Sequence, residues 1–413
     1  MTSVATTASP ALDDARQVDD LRPFVCFCGQ DWYYHNRAHS DFQLMTRLAR
    51  TRKVLLINSI GMRMPTPGKS AAFWSRVRRK LGSMTKGLAR PVADLPDFWV
   101  LSPVLFPLYG SPRGRAINAK LVEAQVRMAL PRSAIVDPHV FVTVPTAYEI
   151  ARRLDKASLI YNRSDKHSAF GEADGSLIGG LEDALLAEAD LSLYVSRELM
   201  REESEKRRGK SLFLDHGVDL ELFQSVDEAR LPAALQRIPK PRIGFFGGLD
   251  DYTVDFDLLE KVARDLKHVS LVLVGRAMCS MERFARYENV HWVDFKSYEE
   301  IPAWGSGFDV ALMPWQRNEW IRHCNPIKLK EYLALGLDIV STDFPEIEHY
   351  ADCVRIARDD EAFVQLIRQS LDDGPLRSPE EQRARVAAAT WDERVRELAE
   401  AATACARARA SHR

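Results

Sequence analysis

Two lysines occupy the first turns of a short predicted helix, where a positive charge is electrostatically unfavourable. The segment 324–336, CNPIKLKEYLALG, is bounded by residue types that favour helix ends, namely Asn325 as cap, Pro326 in the first turn and Gly336 after the last. The helix dipole disfavours Lys328 and Lys330 by roughly a few tenths of a kcal/mol each, unless an anion binds at the same end. We therefore predict that the helix start from Asn325 to Lys328, including Ile327, binds a diphosphate.

Glu331 lies three residues after Lys328, so both side chains project from one face of this helix. A carboxylate there can accept hydrogen bonds from the two adjacent hydroxyls of a ribose, as an acidic residue does in dinucleotide-binding folds. The alternative is a solvated Lys328–Glu331 ion pair, which contributes little. The other helix residues, and the predicted strands on either side, favour the nucleotide interpretation.

A pair of glycines follows a predicted strand in the segment FFGGLDD, 245–251. Gly247 and Gly248 would let the bare backbone approach a ligand closely. A tight turn that requires positive φ is an equally good explanation of the glycines alone. The segment is not GxGxxG, which argues against a nicotinamide dehydrogenase.

The elements that must position these residues follow from the pattern of apolar runs. Runs of strand length alternate with helical segments in two series: FVCFC, KVLLIN, FVTV, SLIY, LSLYV and SLFL, then RIGFFG, SLVLVG, VHWVD, DVALMPW, DIVST and CVRIA. This alternation predicts an α/β protein with two Rossmann-like, doubly wound domains that face each other across a cleft. We expect a disordered tail at 1–20, a first domain at 21–223, a linker at 224–241, a second domain at 242–390, and a last helix at 391–413 that packs back on the first domain.

Composition excludes several classes of protein. The 413 residues are 46% hydrophobic and 28% charged, with a formal net charge of −1, so bulk electrostatics give no support for nucleic acid as a partner. Six cysteines without a CxxC pair indicate neither a disulfide framework nor a zinc site. The first twenty residues are unlike a signal peptide, and no run of eighteen apolar residues occurs. We expect a cytoplasmic protein.

The second half of the chain resembles the glycosyltransferases of the GT-B fold, particularly those of the family 4 type. The resemblance rests on NPIKLKEYLALGLDIVSTDFPEI, on RIGFFGGLDDYTVDFDLLEKVA, on ENVHWVDFKSYEEIPAWGSGFDVALMPW and on LFLDHGVDLELF, and it covers most of residues 190–395. It implies sugar transfer from a nucleotide diphosphate sugar, with retention at the anomeric carbon and with no bound metal or cofactor. By the same resemblance Glu331 holds the ribose, and Asn325 to Lys328 face the diphosphate or the sugar. We predict a catalytic role for Lys328, because a cation at the helix start stabilises the charge that develops on the leaving diphosphate.

The chain departs from this family at two points. An E-x7-E pair is frequent in the family, but the residue eight positions before Glu331 is His323, so the first Glu is missing or replaced, with Glu319 as a candidate. The segment after the first strand of the second domain also lacks the basic residues that often bind the diphosphate. Arg317 or Arg322 are candidates to substitute for them.

The first domain offers polar residues at two predicted strand ends. The loop from Gly29 to His39 contains Asp31, His35 and Arg37, which we predict to bind the acceptor, with a solvated loop as the alternative. Ser40 and Gln43 are predicted to form a capping box on the helix that follows. His35 and His39 lack a third ligand, which argues against a metal site.

Asp165 lies just after the predicted strand SLIY, in the segment NRSDKH. A carboxylate at this position of a GT-B protein can orient the acceptor hydroxyl or take its proton, so we predict a catalytic role for Asp165. The alternative is that Asp165 caps the following turn.

The segment 69–90, KSAAFWSRVRRKLGSMTKGLAR, carries seven cations and no acidic residue. As a helix it would place its apolar residues, Phe73, Trp74, Val77, Leu81, Met84 and Leu88, along one side. We predict that this basic amphipathic insertion, within 66–95, contacts an anionic membrane surface at the inner face of the cell membrane. A solvated basic helix and a disordered insertion are the alternatives.

These observations predict a glycosyltransferase that moves a sugar to a saccharide or lipid-linked acceptor of the cell surface. A GT-B nucleotide-sugar epimerase is one alternative, and it would not need the basic segment. A noncatalytic GT-B partner subunit is another, because the first Glu of E-x7-E is absent.

Overall fold

Two parallel sheets form the framework of the chain. The computed structural model describes residues 21–61, 73–106, 111–170 and 174–411, so the tail predicted at 1–20 lies outside the described residues. The strands of the first sheet are β1 (Phe24–Phe27), β2 (Val54–Ile57), β3 (Leu88–Ala89), β4 (Phe98–Leu101), β5 (His139–Val142), β6 (Ser158–Arg163), β7 (Leu191–Tyr194) and β8 (Lys210–Phe213). Their order is β3-β4-β2-β1-β5-β6-β7-β8, and β3 pairs antiparallel with β4 at the edge.

The second sheet contains β9 (Arg242–Phe246), β10 (Ser270–Val274), β11 (Val290–Val293), β12 (Val310–Met313), β13 (Asp338–Thr342) and β14 (Arg355–Ala357). Its order is β11-β10-β9-β12-β13-β14, with parallel pairing throughout. Every apolar run that the sequence analysis names overlaps one of these strands. The predicted fold class, two doubly wound α/β domains, is confirmed.

Helices cover both sheets. They are α1 (Ser40–Leu48), α2 (Phe73–Met84), α3 (Pro112–Arg132), α4 (Tyr148–Ala151), α5 (Gly175–Glu188), α6 (Arg197–Glu202), α7 (Ala233–Gln236), α8 (Phe256–Asp265), α9 (Ile301–Gly305), α10 (Glu319–Arg322), α11 (Ile327–Leu335), α12 (Asp360–Asp373), α13 (Pro379–Ala384) and α14 (Trp391–Ser411). Short 3-10 turns occur at Pro145–Ala147, His167–Ala169, Glu228–Arg230, Glu282–Phe284 and Pro345–Tyr350.

The last helix, α14, packs on the first domain. Its residues Leu398, Ala402 and Cys405 share a buried apolar cluster with β1 and α1. Ion pairs add to this contact, with Arg50 3.2 Å from Asp392. The predicted linker, 224–241, packs on the second domain, where its Leu235 is fully buried.

Because the strands within each sheet run in one direction, apart from β3, the loops at their carboxyl ends meet at one edge of each sheet. The chain crosses between the domains after β8 and returns before α14. The candidate site lies where the two edges face each other.

Candidate active site

Two glycine turns meet at the carboxyl ends of β9 and β10. Gly247 has φ +146° and Gly275 has φ +149°, conformations that only glycine adopts readily. A Cβ on Gly275 would lie 1.8 Å from the carbonyl oxygen of Gly247, so these two turns are in direct backbone contact. Gly248, next in the chain, is exposed and has only Asp250 Oδ2, at 3.9 Å, near its missing Cβ. The predicted open backbone is therefore present at Gly248, whereas Gly247 is enclosed.

Lys328 fills the space beside Gly247. A Cβ added to Gly247 would come within 2.0 Å of Lys328 Cε. The ammonium nitrogen lies 5.7 Å from the ring centre of Phe245 and 5.5 Å from that of Trp315. Burial lowers the pKa of Lys328, while Glu331 and Asp250 oppose that shift. Within the described ranges, Lys328 Nζ makes no hydrogen bond or ion pair, so this cation is available to an anion.

Glu331 is buried one turn further along α11, with 4% of its surface exposed. The hydroxyl of Tyr298 donates to Glu331 Oε1 over 3.0 Å. Burial raises the pKa of Glu331 to about 7, against the opposing effects of Lys328 and Tyr298. A solvated Lys328–Glu331 ion pair is not what the structure contains, because Glu331 is buried and no ion pair to it occurs among the described residues. The carboxylate thus keeps capacity to accept further hydrogen bonds.

The beginning of α11 differs from the prediction. Pro326 occupies the cap position and no side chain caps the helix, so the prediction of Asn325 as cap is wrong. Asn325 instead donates to the Val195 carbonyl over 2.8 Å and to Asp215 Oδ1 over 2.7 Å, both in the first domain. Because the first amides of a helix have no intrahelical acceptor, the amino end of α11 is open to an anion.

Ile327 contacts the apolar core of the first domain, together with residues of β1, α1 and α14. Its side chain therefore helps to hold the two domains together, and only its backbone amide is available to a diphosphate. At the other end of α11, Gly336 has φ +75°, which confirms the predicted helix end.

The charge of Lys330, unlike that of Lys328 among the described residues, is balanced within the protein. Its side chain is fully buried, and its Nζ lies 2.8 Å from Asp215 Oδ1, across the boundary between the domains. Burial disfavours both charges, but their attraction raises the pKa of Lys330 and lowers that of Asp215. An internal carboxylate, and not a ligand, therefore balances Lys330.

The loop between β1 and α1 forms the facing wall of the cleft. Asp31 accepts a hydrogen bond from the Tyr33 amide over 3.0 Å, and His35 Nδ1 lies 3.0 Å from the Asp31 amide. The Arg37 guanidinium stacks on the Trp32 ring at 3.7 Å and donates to the Trp32 carbonyl. The predicted acceptor residues thus lie at the cleft, but Asp31 and Arg37 are also engaged in shaping their own loop.

The predicted capping box on α1 is wrong. The cap residue is His39, without a side-chain hydrogen bond, and Gln43 Nε2 donates to the Arg37 carbonyl over 2.8 Å. Burial lowers the pKa of His39 to about 4, and the nearby His35 and Lys328 add to the shift. Since Lys328 belongs to the second domain, this loop approaches the glycine turns closely.

Asp165 follows β6 and faces the second domain. Burial raises its pKa to about 7, while the Arg163 guanidinium opposes the shift. Burial and the Asp165 carboxylate raise the pKa of the Cys324 thiol just before α11, which places the two groups near each other. A carboxylate that is half ionised near neutral pH is suited to accept a proton.

A buried charge cluster fixes the backbone at Asp165. Arg163, 1% exposed, binds Glu203 with two guanidinium nitrogens and also contacts Glu182. The same guanidinium donates to the Asp165 carbonyl over 2.6 Å. His167, also buried, lies beside Glu182, so it is part of this cluster and not of the cleft.

A second set of charges joins the domains around His323, which occupies the position of the first Glu of the E-x7-E pair. His323 is buried, with Nε2 2.9 Å from Glu202 Oε2 and Nδ1 2.8 Å from the Glu319 carbonyl. Glu319 Oε1 itself accepts from Lys166 over 2.7 Å. Glu319 is therefore bound to the first domain, and it does not replace the missing sugar ligand in this conformation.

The two arginines predicted to substitute for diphosphate ligands are engaged elsewhere. Arg317 pairs with Asp360 at 3.0 Å, and Arg322 pairs with Glu198 and Glu202 of the first domain. These contacts correct that prediction.

Arg276 is a candidate that sequence reasoning missed. It follows Gly275, is exposed, and its guanidinium lies 5.1 Å from the Phe295 ring centre. Together with burial, its charge lowers the pKa of His35 across the cleft. The available signal was an arginine directly after the glycine that ends a buried strand, in SLVLVGR.

The predicted basic insertion contains α2 and β3. Ser83 of α2 is buried against Asn58 and Ser102, whereas Leu81 is 58% exposed. Leu88 lies in β3 and packs on the first-domain core, so it does not extend the helical apolar side. Residues 69–72 lie outside the described residues. Over the part of the chain that the structure describes, no helix has the length and apolar character needed to cross a bilayer.

The second domain is similar to a known family of proteins. Residues 240–373 match the model of the family described as Glycosyl transferases group 1. TuaH of Bacillus subtilis, named for a glycosyltransferase of teichuronic acid biosynthesis, is 25% identical over 202 residues, which are 45% of this chain and 51% of TuaH. The chain thus spans about half the length of this curated relative.

Solved structures extend the similarity to both domains. Sucrose-phosphate synthase from Thermosynechococcus elongatus has a TM-score of 0.69 at 15% identity, covering 92% of this chain and 98% of that chain. HepE of Anabaena, in complex with UDP and glucose, has a TM-score of 0.63 at 14% identity, with the same coverage. A glycosyltransferase from Rickettsia africae has a TM-score of 0.64 at 13% identity, covering 94% and 99%. The chain therefore has the two-domain GT-B fold, and residues 240–373 of its second domain are similar to the group 1 glycosyltransferases.

Proposed function

We propose that the protein is a glycosyltransferase that moves a sugar from a nucleoside diphosphate sugar to a saccharide or lipid-linked acceptor of the cell surface. The observation that carries the proposal is the convergence of three groups at one edge of the second sheet: the enclosed turn at Gly247, the buried carboxylate of Glu331, and Lys328, which pairs with no residue that the structure describes. Retention at the anomeric carbon, and activity without a metal or cofactor, remain part of the proposal.

Glu331 binds the ribose in this proposal. Its carboxylate already accepts one hydrogen bond from Tyr298, and two ribose hydroxyls would supply the donors that a buried carboxylate requires. These donors stabilise the ionised form, so nucleotide binding should lower the raised pKa of Glu331.

Lys328, Arg276 and the amino end of α11 bind the diphosphate. Charge builds up on the diphosphate as the bond to the sugar breaks, and cations and amides already in place stabilise that charge. Lys328 acts as the catalytic cation, because its ammonium group is partly removed from water and makes no ion pair with any residue that the structure describes.

The acceptor binds against the first domain, beside Asp31, His35 and Arg37. Asp165 orients the attacking hydroxyl or accepts its proton, which its raised pKa favours. The name of the relative TuaH supports a cell-surface polymer as the acceptor, and the complexes of HepE support UDP as the nucleotide to test first. We also propose a cytoplasmic enzyme that contacts the inner face of the cell membrane through residues 69–90.

Thermal unfolding with UDP, GDP, ADP and NAD tests the donor site. A nucleotide at about one hundred times its dissociation constant adds roughly 2.7 kcal/mol to the free energy of unfolding. We expect one nucleoside diphosphate to raise Tm for the wild type, and to raise it much less for Glu331→Gln and Arg276→Ala. Glu348→Gln, at an exposed position, is the matched control.

Two outcomes would contradict this proposal. Stabilisation by NAD alone would point to a different cofactor class. A nucleoside diphosphate that stabilises Glu331→Gln as much as the wild type would place the donor elsewhere. Binding without turnover, given saccharide and lipid-linked acceptors, would instead favour the noncatalytic subunit.

A further inference from the structure

The first domain contains an apolar cavity of about 400 Å³ that the reaction outlined above does not use. This volume falls in the range of small-molecule sites, roughly 300–1,000 Å³. The cavity lies between α3, α4 and α5, and its apolar lining includes Leu105, Ala119, Val122, Ile150, Leu177 and Leu181.

The cavity reaches the loops at the carboxyl ends of the first-sheet strands, the edge that also borders the cleft. Ile60 and Gly61 follow β2, Leu105 follows β4, and Thr146 follows β5, so carboxyl-end loops form one side of the cavity and helices form the rest. Leu177 and Leu181 come from α5, the helix that follows β6 and Asp165. The cavity thus lies beside loops that border the cleft and beside the helix next to Asp165.

The polar groups of the lining are already bonded within the protein. Asn118 exchanges two hydrogen bonds with the backbone of Phe106, at 2.9 and 2.8 Å. Thr146 donates to the Gly61 carbonyl, and Arg153 pairs with Glu149 at 3.1 Å. Few donors or acceptors remain for the hydroxyls of a sugar, so the cavity favours a hydrocarbon ligand.

The surroundings of the cavity combine exposed apolar side chains with positive charge. Val104, Phe106 and Ile117 are 46–50% exposed near the cavity, an unusual concentration of large apolar residues on a surface. The first turn of α3 carries Arg113 and Arg115 and no acidic residue. This charge is complementary to the phosphate that links a saccharide to a lipid.

We propose that this cavity binds the hydrocarbon chain of a lipid-linked acceptor, with the phosphate at the cationic start of α3 and the saccharide in the cleft. The inference rests on the proposed glycosyltransferase function and specifies its acceptor class. It also assigns the exposed residues near the cavity to the region where the lipid enters.

Calorimetric titration tests the cavity by measuring how tightly the protein binds octyl, decyl and dodecyl phosphate, each below its micellar concentration. Each methylene that the cavity buries should strengthen binding about fourfold. Ala119→Phe places a ring inside the cavity, and Ala116→Phe places one at its exposed margin, where folding is not at risk. Ala124→Phe, exposed on the same helix but not in the lining, is the matched control.

We expect Ala116→Phe and Ala119→Phe to weaken decyl phosphate binding at least tenfold, with Ala124→Phe like the wild type. Binding that does not depend on chain length, or that both cavity variants retain, would overturn the proposal. Inorganic phosphate binding as tightly as decyl phosphate would also overturn it. The Tm shift with UDP is measured on the same variants, so a failure of the donor site is seen separately from a failure of the cavity.

Discussion

Removing Asp215 should destabilise the protein strongly, because Lys330 would be left as a buried charge without its counterion. The Lys330 side chain has no exposed surface, and Asp215 is the carboxylate with which it pairs, at 2.8 Å. Breaking a buried pair from one side costs about 3–5 kcal/mol, because the remaining charge keeps its desolvation penalty. We expect Asp215→Ala to lower the free energy of unfolding by this amount in urea denaturation.

Two further variants separate the buried charge from other effects. Asp183→Ala breaks the exposed Lys206–Asp183 pair, also about 3.0 Å long, and should cost less than about 1 kcal/mol. The double variant Asp215→Leu with Lys330→Met removes both charges and should recover most of the lost stability. If Asp215→Ala costs no more than Asp183→Ala, or if the double variant is no more stable than Asp215→Ala, the reasoning is refuted.

Three other outcomes are expected. Gly247→Ala should lower the free energy of unfolding by about 1–3 kcal/mol and weaken nucleotide binding, because the new Cβ would clash with Lys328 and because alanine is strained at φ +146°. Gly248→Ala should leave Tm unchanged, and equal Tm values for the two variants would contradict the geometry. The UDP dissociation constant of Glu331→Gln, divided by that of the wild type, should rise as pH increases through about 7, because the ribose binds the ionised carboxylate of the wild type. A ratio that does not change with pH would exclude Glu331 as the ribose ligand. Asp165→Asn should lower kcat at least about 100-fold and leave UDP binding unchanged. The kcat/KM of the wild type should decline below about pH 7, where the carboxylate becomes protonated, and a kcat/KM that does not change with pH would exclude Asp165 as the proton acceptor.

The parallel sheets were predictable because buried strands of a doubly wound fold are short continuous apolar runs. Runs such as RIGFFG and SLVLVG contain few polar residues, which distinguishes them from amphipathic helices. The run FWVL, which forms β4, was missed because it lies between two prolines, Pro96 and Pro103, which are typical of turns and loops. Short strands are specified by their neighbours as much as by their own sequence.

The second-domain site was predictable in part, since Gly247, Lys328 and Glu331 all lie on elements with strong local signals. Asn325 was misassigned because asparagine is both a good helix cap and a versatile hydrogen-bond donor. The choice between these roles depended on Val195 and Asp215, more than one hundred residues earlier in the chain. No local pattern contains that information.

The residues of the first domain were harder to predict for the same reason. Ser40 and Gln43 have the spacing of a capping box, but Gln43 contacts the Arg37 carbonyl of the preceding loop. The acid–base properties of Asp165 depend on burial, and on an Arg163 guanidinium that Glu182 and Glu203 hold in place. Loops acquire such properties only when the domains are assembled.

The two crossings between the domains lie side by side, and this has a mechanical consequence. The Val218 amide donates to the Ala389 carbonyl over 2.8 Å, and Val218 bridges Thr390 in parallel. Gly217 packs so closely under Trp391 that a Cβ would lie 2.6 Å from the backbone there. The two connections are therefore tied to each other along their length. A movement of one domain relative to the other must carry both connections together, or it must break this pairing.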